Sequence, residues 1–170
     1  MESVLKIGGR DFTVRKILPE DNRQMAEIVR YNLKNHGLDI PGTAYFDPEL
    51  DSLSSFYSAD KRGYFVLADK EGNISGGIGF AEFPGINACA ELQKLYLADA
   101  VKGFGIGYVL INYVEEKMLE SGFKQSYLET HENLETAIHI YEKSGYRRIE
   151  RPGNVVHNTM THFYLKTLSP

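Results

Sequence analysis

Apolar and polar residues alternate early in the chain and then change to helical spacing. Residues 11–17 alternate with a period of two, which is typical of a half-buried strand. After Pro19, an apolar stripe recurs at helical intervals, and Gly37 is placed to end the helix. The stripe consists of Met25, Ile28, Val29 and Leu33. The pattern therefore predicts a strand followed by an amphipathic helix.

The next part of the chain predicts a loop, a weaker helix and three strands. Residues 38–46 are loop-like, and residues 47–60 carry a weak helical pattern. Strand patterns follow over residues 64–69, 74–83 and 89–97. A four-residue turn separates the first two of these strands, so we expect them to form a hairpin.

The last part of the chain alternates helices and strands. Helical spacing begins at Ile106 and ends at Gly122, and a strand follows over residues 124–130. Asn133 suits the cap of a helix that Gly145 closes, and two antiparallel strands are expected over residues 146–149 and 162–166. The order β-α-α-β-β-β-α-β-α-β-β predicts an α/β protein of the α+β type, with a mixed, mostly antiparallel central sheet and helices on both faces.

Length, charge and cysteine content narrow the class of protein. The 170 residues are most simply one domain, 1–170, and the net charge of −4 without a run of like charges argues against nucleic-acid binding. Cys89 is the only cysteine, and we expect it to be a buried structural thiol. No stretch resembles a signal peptide or a membrane helix. These features predict a cytoplasmic protein with no membrane partner.

Glycine is concentrated between the strand 89–97 and the helix at Ile106. Gly103, Gly105 and Gly107 would let backbone N–H groups approach a ligand, and Lys102 adds a positive charge. Such a turn before a helix suits a phosphate. The spacing departs from the Gly-x-Gly-x-x-Gly of dinucleotide folds, and no Gly-Lys-Ser/Thr follows as in a P-loop. A dinucleotide site stays the less favoured alternative.

The turn and its surroundings resemble a known family. Residues 91–97, 102–107 and 137–146 are similar to the motifs of the GNAT superfamily of acetyltransferases, and the order of elements is similar from residue 11 to 168. The resemblance implies the GNAT acyl-CoA N-acyltransferase fold and transfer of acetyl from acetyl-CoA to a primary amine by direct attack in a ternary complex. The family's loop pattern is Arg/Gln-x-x-Gly-x-Gly/Ala. Lys102 keeps the charge of the first residue but not its planar fork.

The resemblance also assigns residues to the cofactor. It implies that the backbone of residues 95–97 binds the pantetheine arm, that Asn133 contacts the cofactor, and that Tyr141 is the general acid for the departing thiolate. Helical spacing alone would place Tyr141 in the core. The full set implied to bind acetyl-CoA is Leu95, Tyr96, Leu97, Lys102, Gly103, Phe104, Gly105, Ile106, Gly107, Tyr108, Asn133 and Tyr141.

The acceptor side has weaker signals. Glu91 matches a position where related enzymes often hold a carboxylate base, and a solvated strand residue is the alternative. His157 ends a Gly-Asn-Val-Val-His segment that resembles Gly-Asn-Thr-Gly-His in some small members of the superfamily, although the two middle residues differ. Tyr45, Phe46 and Glu82 are further candidates for contacts to the substrate. No spacing of side chains suggests a metal site.

These candidates favour a compact small-molecule amine as the acceptor. A protein N-terminal or lysine acetyltransferase is one alternative, and a CoA-sensing module without catalysis is another. An exposed late strand could pair across a homodimer.

Overall fold

Eight strands and four α-helices occur in residues 4–153, 155 and 157–170, which the computed structural model describes. The strands are β1 (Val4–Ile7), β2 (Arg10–Lys16), β3 (Arg62–Asp69), β4 (Ile74–Glu82), β5 (Cys89–Leu97), β6 (Gln125–Thr130), β7 (Arg147–Ile149) and β8 (His162–Thr167). The helices are α1 (Asn22–Asn35), α2 (Leu53–Phe56), α3 (Ile106–Glu120) and α4 (Glu135–Lys143). One sheet contains all the strands, in the order β1-β2-β3-β4-β5-β6-β8-β7.

Only one pair of neighbouring strands among the described residues is parallel. β5 and β6 pair at Cys89 with Gln125, Ala90 with Ser126 and Glu91 with Tyr127, and the other neighbours are antiparallel. The predicted mixed, mostly antiparallel sheet is therefore confirmed. Since the two strands do not pair beyond Glu91, their carboxyl halves diverge and open a cleft.

The two faces of the sheet are covered by different helices, as predicted. Tyr64 and Val66 of β3 lie in a buried cluster with apolar residues of α1, whereas Phe65 and Leu67 lie in a second cluster with α3. This split follows from the alternation of side chains along a strand. The α1 residues of the first cluster include Met25, Val29 and Leu33, and those of α3 in the second include Leu110, Ile111, Val114 and Met118.

Three local predictions were wrong. The helix predicted over residues 47–60 is a 3-10 turn, Leu50–Ser52, followed by the single turn of α2, where the Asn22 side chain accepts the Ser54 N–H. The sequence reading also missed β1, which a Gly8-Gly9 turn joins to β2. Asn133 does not cap α4, because that helix begins two residues later without a side-chain cap.

Three other expectations concern exposure. Cys89 is buried, as predicted, and burial raises the pKa of its thiol to about 11. In the described ranges, no helix is both long and apolar enough to cross a bilayer. β7 lies at one edge of the sheet with Arg147 and Arg148 exposed, and pairing of that edge across a homodimer stays a prediction.

Candidate active site

A cavity of about 570 Å³ lies where β5 and β6 diverge. Its wall is built from α1, β5, the glycine turn, the first residues of α3, the end of β6 and α4. The sequence-predicted residues in this wall are Glu91, Leu95, Tyr96, Leu97, Lys102, Gly103, Gly105, Ile106, Gly107, Tyr108, Tyr141 and His157. The cleft thus brings together most of the residues predicted for the cofactor side and for the acceptor side of the site.

β5 is irregular where it faces this cavity. Its register against β4 shifts between Gly77, opposite Tyr96, and Gly79, opposite Gln93. Lys94 lies in the shifted part with φ of 50°, in the left-handed region that side chains rarely adopt, and its carbonyl accepts the Tyr64 hydroxyl at 2.7 Å. A bulge of this kind leaves an extra residue out of the ladder and bends the strand. The bend is therefore built into the cavity wall.

The glycine turn presents a row of free N–H groups. Within the described chain, the backbone N–H groups of residues 103–108 have no hydrogen-bond acceptor. Gly103 and Gly105 have φ of 84° and 74°, and a Cβ on either would meet nothing within 4 Å. The start of α3 adds the positive end of a helix dipole. The turn therefore has the geometry of an anion-binding site.

Lys102 is held against the turn by two other elements. Its Nζ donates to the Asp99 and Asn32 side chains, both at 2.8 Å. Asn32 in turn donates from Nδ2 to the carbonyl of Leu97 at 2.9 Å. This amide therefore ties α1, the end of β5 and the lysine together.

α4 forms the wall opposite the turn. A Cβ on Gly107 would lie 3.1 Å from Ile140 Cδ1, so this glycine allows close packing of α3 on α4. Tyr141 packs its ring in the core near Tyr146, with centroids 6.1 Å apart. Among the described residues, the Tyr141 hydroxyl has no hydrogen-bond partner. Every fully buried side-chain oxygen in those residues does have a partner, so the Tyr141 hydroxyl is not fully buried. The hydroxyl therefore keeps access to the cavity, and burial raises the pKa of Tyr141, which keeps it protonated.

Glu91 lies in the cavity wall at the point where β5 leaves β6. Its side chain is half-buried in that wall. Burial, and then the nearby carboxylate of Glu129, raise the pKa of Glu91 to about 7, while Gln93, His157 and Lys94 act in the opposite direction. Glu91 can therefore exchange a proton near neutral pH.

His157 joins two carboxylates at the same end of the cavity. Its Nε2 lies 2.7 Å from Asp47 Oδ1, and its Nδ1 lies 3.4 Å from Glu129 Oε1. The hydrogen bonds to Asp47 and Glu129 raise the pKa of His157 to about 10. Burial opposes ionisation of Asp47, but His157 and Lys94 outweigh it, so the pKa of Asp47 is lowered. At neutral pH the imidazole is therefore a cation between two acids.

Sequence reasoning missed three members of this cluster, Asp47, Lys94 and Glu129. Asp47 and His157 are 110 residues apart in the chain, so no local pattern could join them. Glu129 had one usable signal, because ligands often meet the carboxyl ends of parallel strands and Glu129 is near that end of β6.

Five candidate side chains lie elsewhere among the described residues. Phe104 and Phe46 are each 57% exposed, and Tyr45 packs beside Phe46. Glu82 forms an exposed ion pair with Lys61. Asn133 donates from Nδ2 to the carbonyl of His36 at 2.9 Å, outside the cavity wall. Asn154 and Val156, from the segment that ends at His157, lie outside the described residues.

Residues 30–146 match the family described as acetyltransferase (GNAT) family. The chain belongs to the GNAT family of acetyltransferases. A relative from Escherichia coli K12, named uncharacterized N-acetyltransferase YjgM, is 35% identical over 139 residues, which are 81% of this chain and 83% of that protein.

Solved GNAT structures share this fold over most of their length. An acetyltransferase of Staphylococcus aureus Mu50 has a TM-score of 0.82 at 20% identity, covering 93% of this chain and 99% of the other. An aminoglycoside 6'-N-acetyltransferase solved with coenzyme A has a TM-score of 0.68 at 16% identity, covering 92% and 97%. The GNAT fold expected from the sequence is therefore confirmed.

As a GNAT acetyltransferase, this enzyme uses acetyl-CoA. The residues around the turn fit that molecule. The free N–H groups of residues 103–108 and the ammonium of Lys102 suit phosphate, and the open face above Gly103 and Gly105 leaves room for close approach. The protein is an acetyl-CoA-dependent N-acetyltransferase.

Proposed function

We propose that this GNAT enzyme acetylates a small-molecule primary amine, which attacks acetyl-CoA directly while both are bound. One observation carries the proposal. Glu91, Tyr141 and the glycine turn line the same cavity, so a base, an acid and an anion grip face one volume. The base and the acid are needed for proton transfer in amine acylation, and the anion grip would hold the phosphates of the acyl donor beside them.

The base is needed because an alkyl ammonium is mostly protonated at pH 7 and cannot attack a carbonyl. Glu91, with a pKa of about 7, can accept a proton from the incoming amine. Acetyl-CoA supplies the thioester carbonyl. Glu91 would first take one proton from the bound ammonium and pass it to solvent, which leaves a neutral amine able to attack. It would then take a second proton from the amine nitrogen as the C–N bond forms and the C–S bond breaks, while the departing thiolate takes its proton from Tyr141.

Tyr141 serves as the acid in this proposal. Its hydroxyl keeps its proton at neutral pH and has cavity access, so it can protonate the thiolate that leaves. The residues proposed to hold the cofactor are the backbone of Leu95–Leu97 and the turn from Lys102 to Tyr108. Leu95, Tyr96 and Leu97 line the cavity, Lys102 adds a positive charge, and the turn adds the free N–H groups of residues 103–108.

The size of the acceptor is inferred from the cover over its end of the cavity. Thr159 Oγ1 donates to the carbonyl of Gly42 at 2.7 Å, and His157 pairs with Asp47, so residues 38–47 and 157–161 are joined twice. Because residues 38–47 and 157–161 are bonded to each other across this end of the cavity, they leave less room for an extended peptide than an open groove would. The solved aminoglycoside 6'-N-acetyltransferase of the same fold is named for a small amine, which agrees with this inference.

The test combines binding with turnover. We expect acetyl-CoA to raise the melting temperature, and thiol release to depend on a small amine in a panel that also contains N-terminal and lysyl peptides. Glu91→Gln should abolish release, while Glu82→Gln, with its exposed ion pair, should retain it. Turnover with peptides alone would make the enzyme a protein acetyltransferase. Binding without turnover across the panel would make it a CoA sensor.

A further inference from the structure

Glu129 is a carboxylate in the cavity wall that the proposed acid and base do not use. It is fixed from two sides, because its Oε2 accepts the Tyr127 hydroxyl at 3.0 Å and its Oε1 lies 3.4 Å from His157 Nδ1. The side chain is only 6% exposed. A buried acid held this firmly is costly unless it is paired, and His157 supplies the pairing charge.

The sheet register brings Glu129 to the same face as Glu91. Glu91 pairs with Tyr127 in the parallel ladder, and Glu129 follows Tyr127 by two residues on that face of β6. Glu129 has partners in Tyr127 and His157, whereas Glu91 faces the cavity. Two nearby acids in a partly buried wall resist carrying charge together. The proton therefore goes to Glu91, the acid without these partners.

We propose that Glu129 is a positioning residue for the base: its carboxylate, held by Tyr127 and His157 on the face of the sheet that carries Glu91, controls when Glu91 can accept a proton. The positive charge of His157 acts on Glu91 in the direction opposite to that of Glu129. Glu129 and His157 together thus set the lowest pH at which Glu91 can activate an amine. This inference rests on the proposed function, in which Glu91 is the base.

Other charged and titratable groups also face Glu91 and its neighbours. Asp47 and Lys94 form a buried ion pair, which limits their net effect, and neither bonds to Glu129. The groups that surround the cluster are Asp47, Glu49, Tyr57, Cys89, Lys94, Tyr96, Tyr127 and Arg151. These groups are common to the wild type and to both single variants, so a difference in the Glu91 midpoint reports on the replaced side chain together with the partners that it holds.

The test titrates Glu91 directly in the free enzyme. The carboxyl ¹³C shift of Glu91, identified by its loss in Glu91→Gln, is followed from pH 4 to 9 in the wild type, Glu129→Gln and His157→Gln. We expect a wild-type midpoint of about 7. Glu129→Gln should lower the midpoint by roughly one unit, and His157→Gln should raise it. Glu129→Asp keeps the charge and should stay near the wild type, and Glu120→Gln, at the carboxyl end of α3 and outside the cavity wall, is the distant control.

The outcomes are separable from those of the activity test. Midpoints that stay fixed in both Glu129→Gln and His157→Gln, with folded spectra, would overturn the inference, as would shifts of the same sign. A Glu91→Gln enzyme that still releases thiol would overturn the proposed base instead. Glu129→Gln retains an acceptor for the Tyr127 hydroxyl, so a folded variant is expected.

Discussion

Lys94 Nζ lies 2.7 Å from Asp47 Oδ2, and the two side chains are only 6% and 13% exposed. Lys94 belongs to the bulge of β5, whereas Asp47 belongs to the segment that covers the acceptor end of the cavity. Glu49 approaches the same ammonium at 3.6 Å. The ion pair therefore joins residues 38–47, which cover the acceptor end of the cavity, to the bulge of β5.

Replacing Lys94 should lower the free energy of unfolding much more than replacing a surface lysine. Lys94→Met leaves a buried carboxylate without its ammonium, and we expect a loss of about 3 kcal/mol in the free energy of unfolding. Lys6→Met is the matched control, because Lys6 pairs with Asp11 at 3.9 Å with both side chains exposed. Its loss should stay below about 1 kcal/mol. Urea unfolding measures both, and equal losses would contradict the prediction.

The glycine turn can be tested by a pair of alanine substitutions. Gly105→Ala and Gly122→Ala both place a side chain at a positive φ, 74° and 88°, and each should cost about 1 kcal/mol of stability. Only Gly105 lies in the cavity wall. We therefore expect acetyl-CoA to bind about tenfold more weakly to Gly105→Ala, equivalent to about 1.4 kcal/mol, and normally to Gly122→Ala. Calorimetric titration decides this, and equal affinities would show that the turn does not grip the cofactor.

Tyr141→Phe should reduce kcat with little change in stability. The hydroxyl has no partner among the described residues, so its removal leaves packing intact while removing the proposed acid. We expect kcat to fall by about 100-fold. Tyr164→Phe provides the opposite control, because the Tyr164 hydroxyl bonds to Glu142 outside the cavity. It should lose about 1 kcal/mol of stability and keep its kcat. Full activity in Tyr141→Phe would remove this residue from the mechanism.

Local patterns predicted most of the fold because they report on burial directly. Helical spacing predicted α1 and α3, and the alternation of residues 11–17 predicted β2, since those periods reflect which face meets the core. The weak helix over residues 47–60 was wrong for a tertiary reason. The Asn22 side chain accepts the hydrogen bond from the Ser54 N–H. Leu50 and Leu53 are fully buried although they lie in short helical turns.

The cofactor side of the site was more predictable than the acceptor side. The glycine turn and the start of α3 are contiguous in sequence, so their chemistry is visible as a motif. The cluster around Asp47, Lys94 and His157 comes from distant segments. Even the proton affinity of Glu91 depends on Glu129, which only the pairing of β5 with β6 brings near.

The network at His157 also predicts how stability depends on pH. The pKa of His157 rises from 6.5 to about 10 in the folded protein, so the stabilisation it provides is complete below pH 6.5 and is lost as pH rises through 10. The wild type should therefore exceed His157→Gln in unfolding free energy most at pH 6, with the difference shrinking toward pH 10. The comparison is best made in a Glu91→Gln background, with and without His157→Gln, because that background removes the titration of Glu91.

His139→Gln, on the exposed side of α4, is the control for general effects of losing a histidine. Its replacement leaves the contacts of His157 with Asp47 and Glu129 in place. Urea unfolding at unit steps from pH 6 to 10 gives the comparison. A difference for His157→Gln that stays constant or grows with pH would mean that the imidazole is not held as a cation between Asp47 and Glu129.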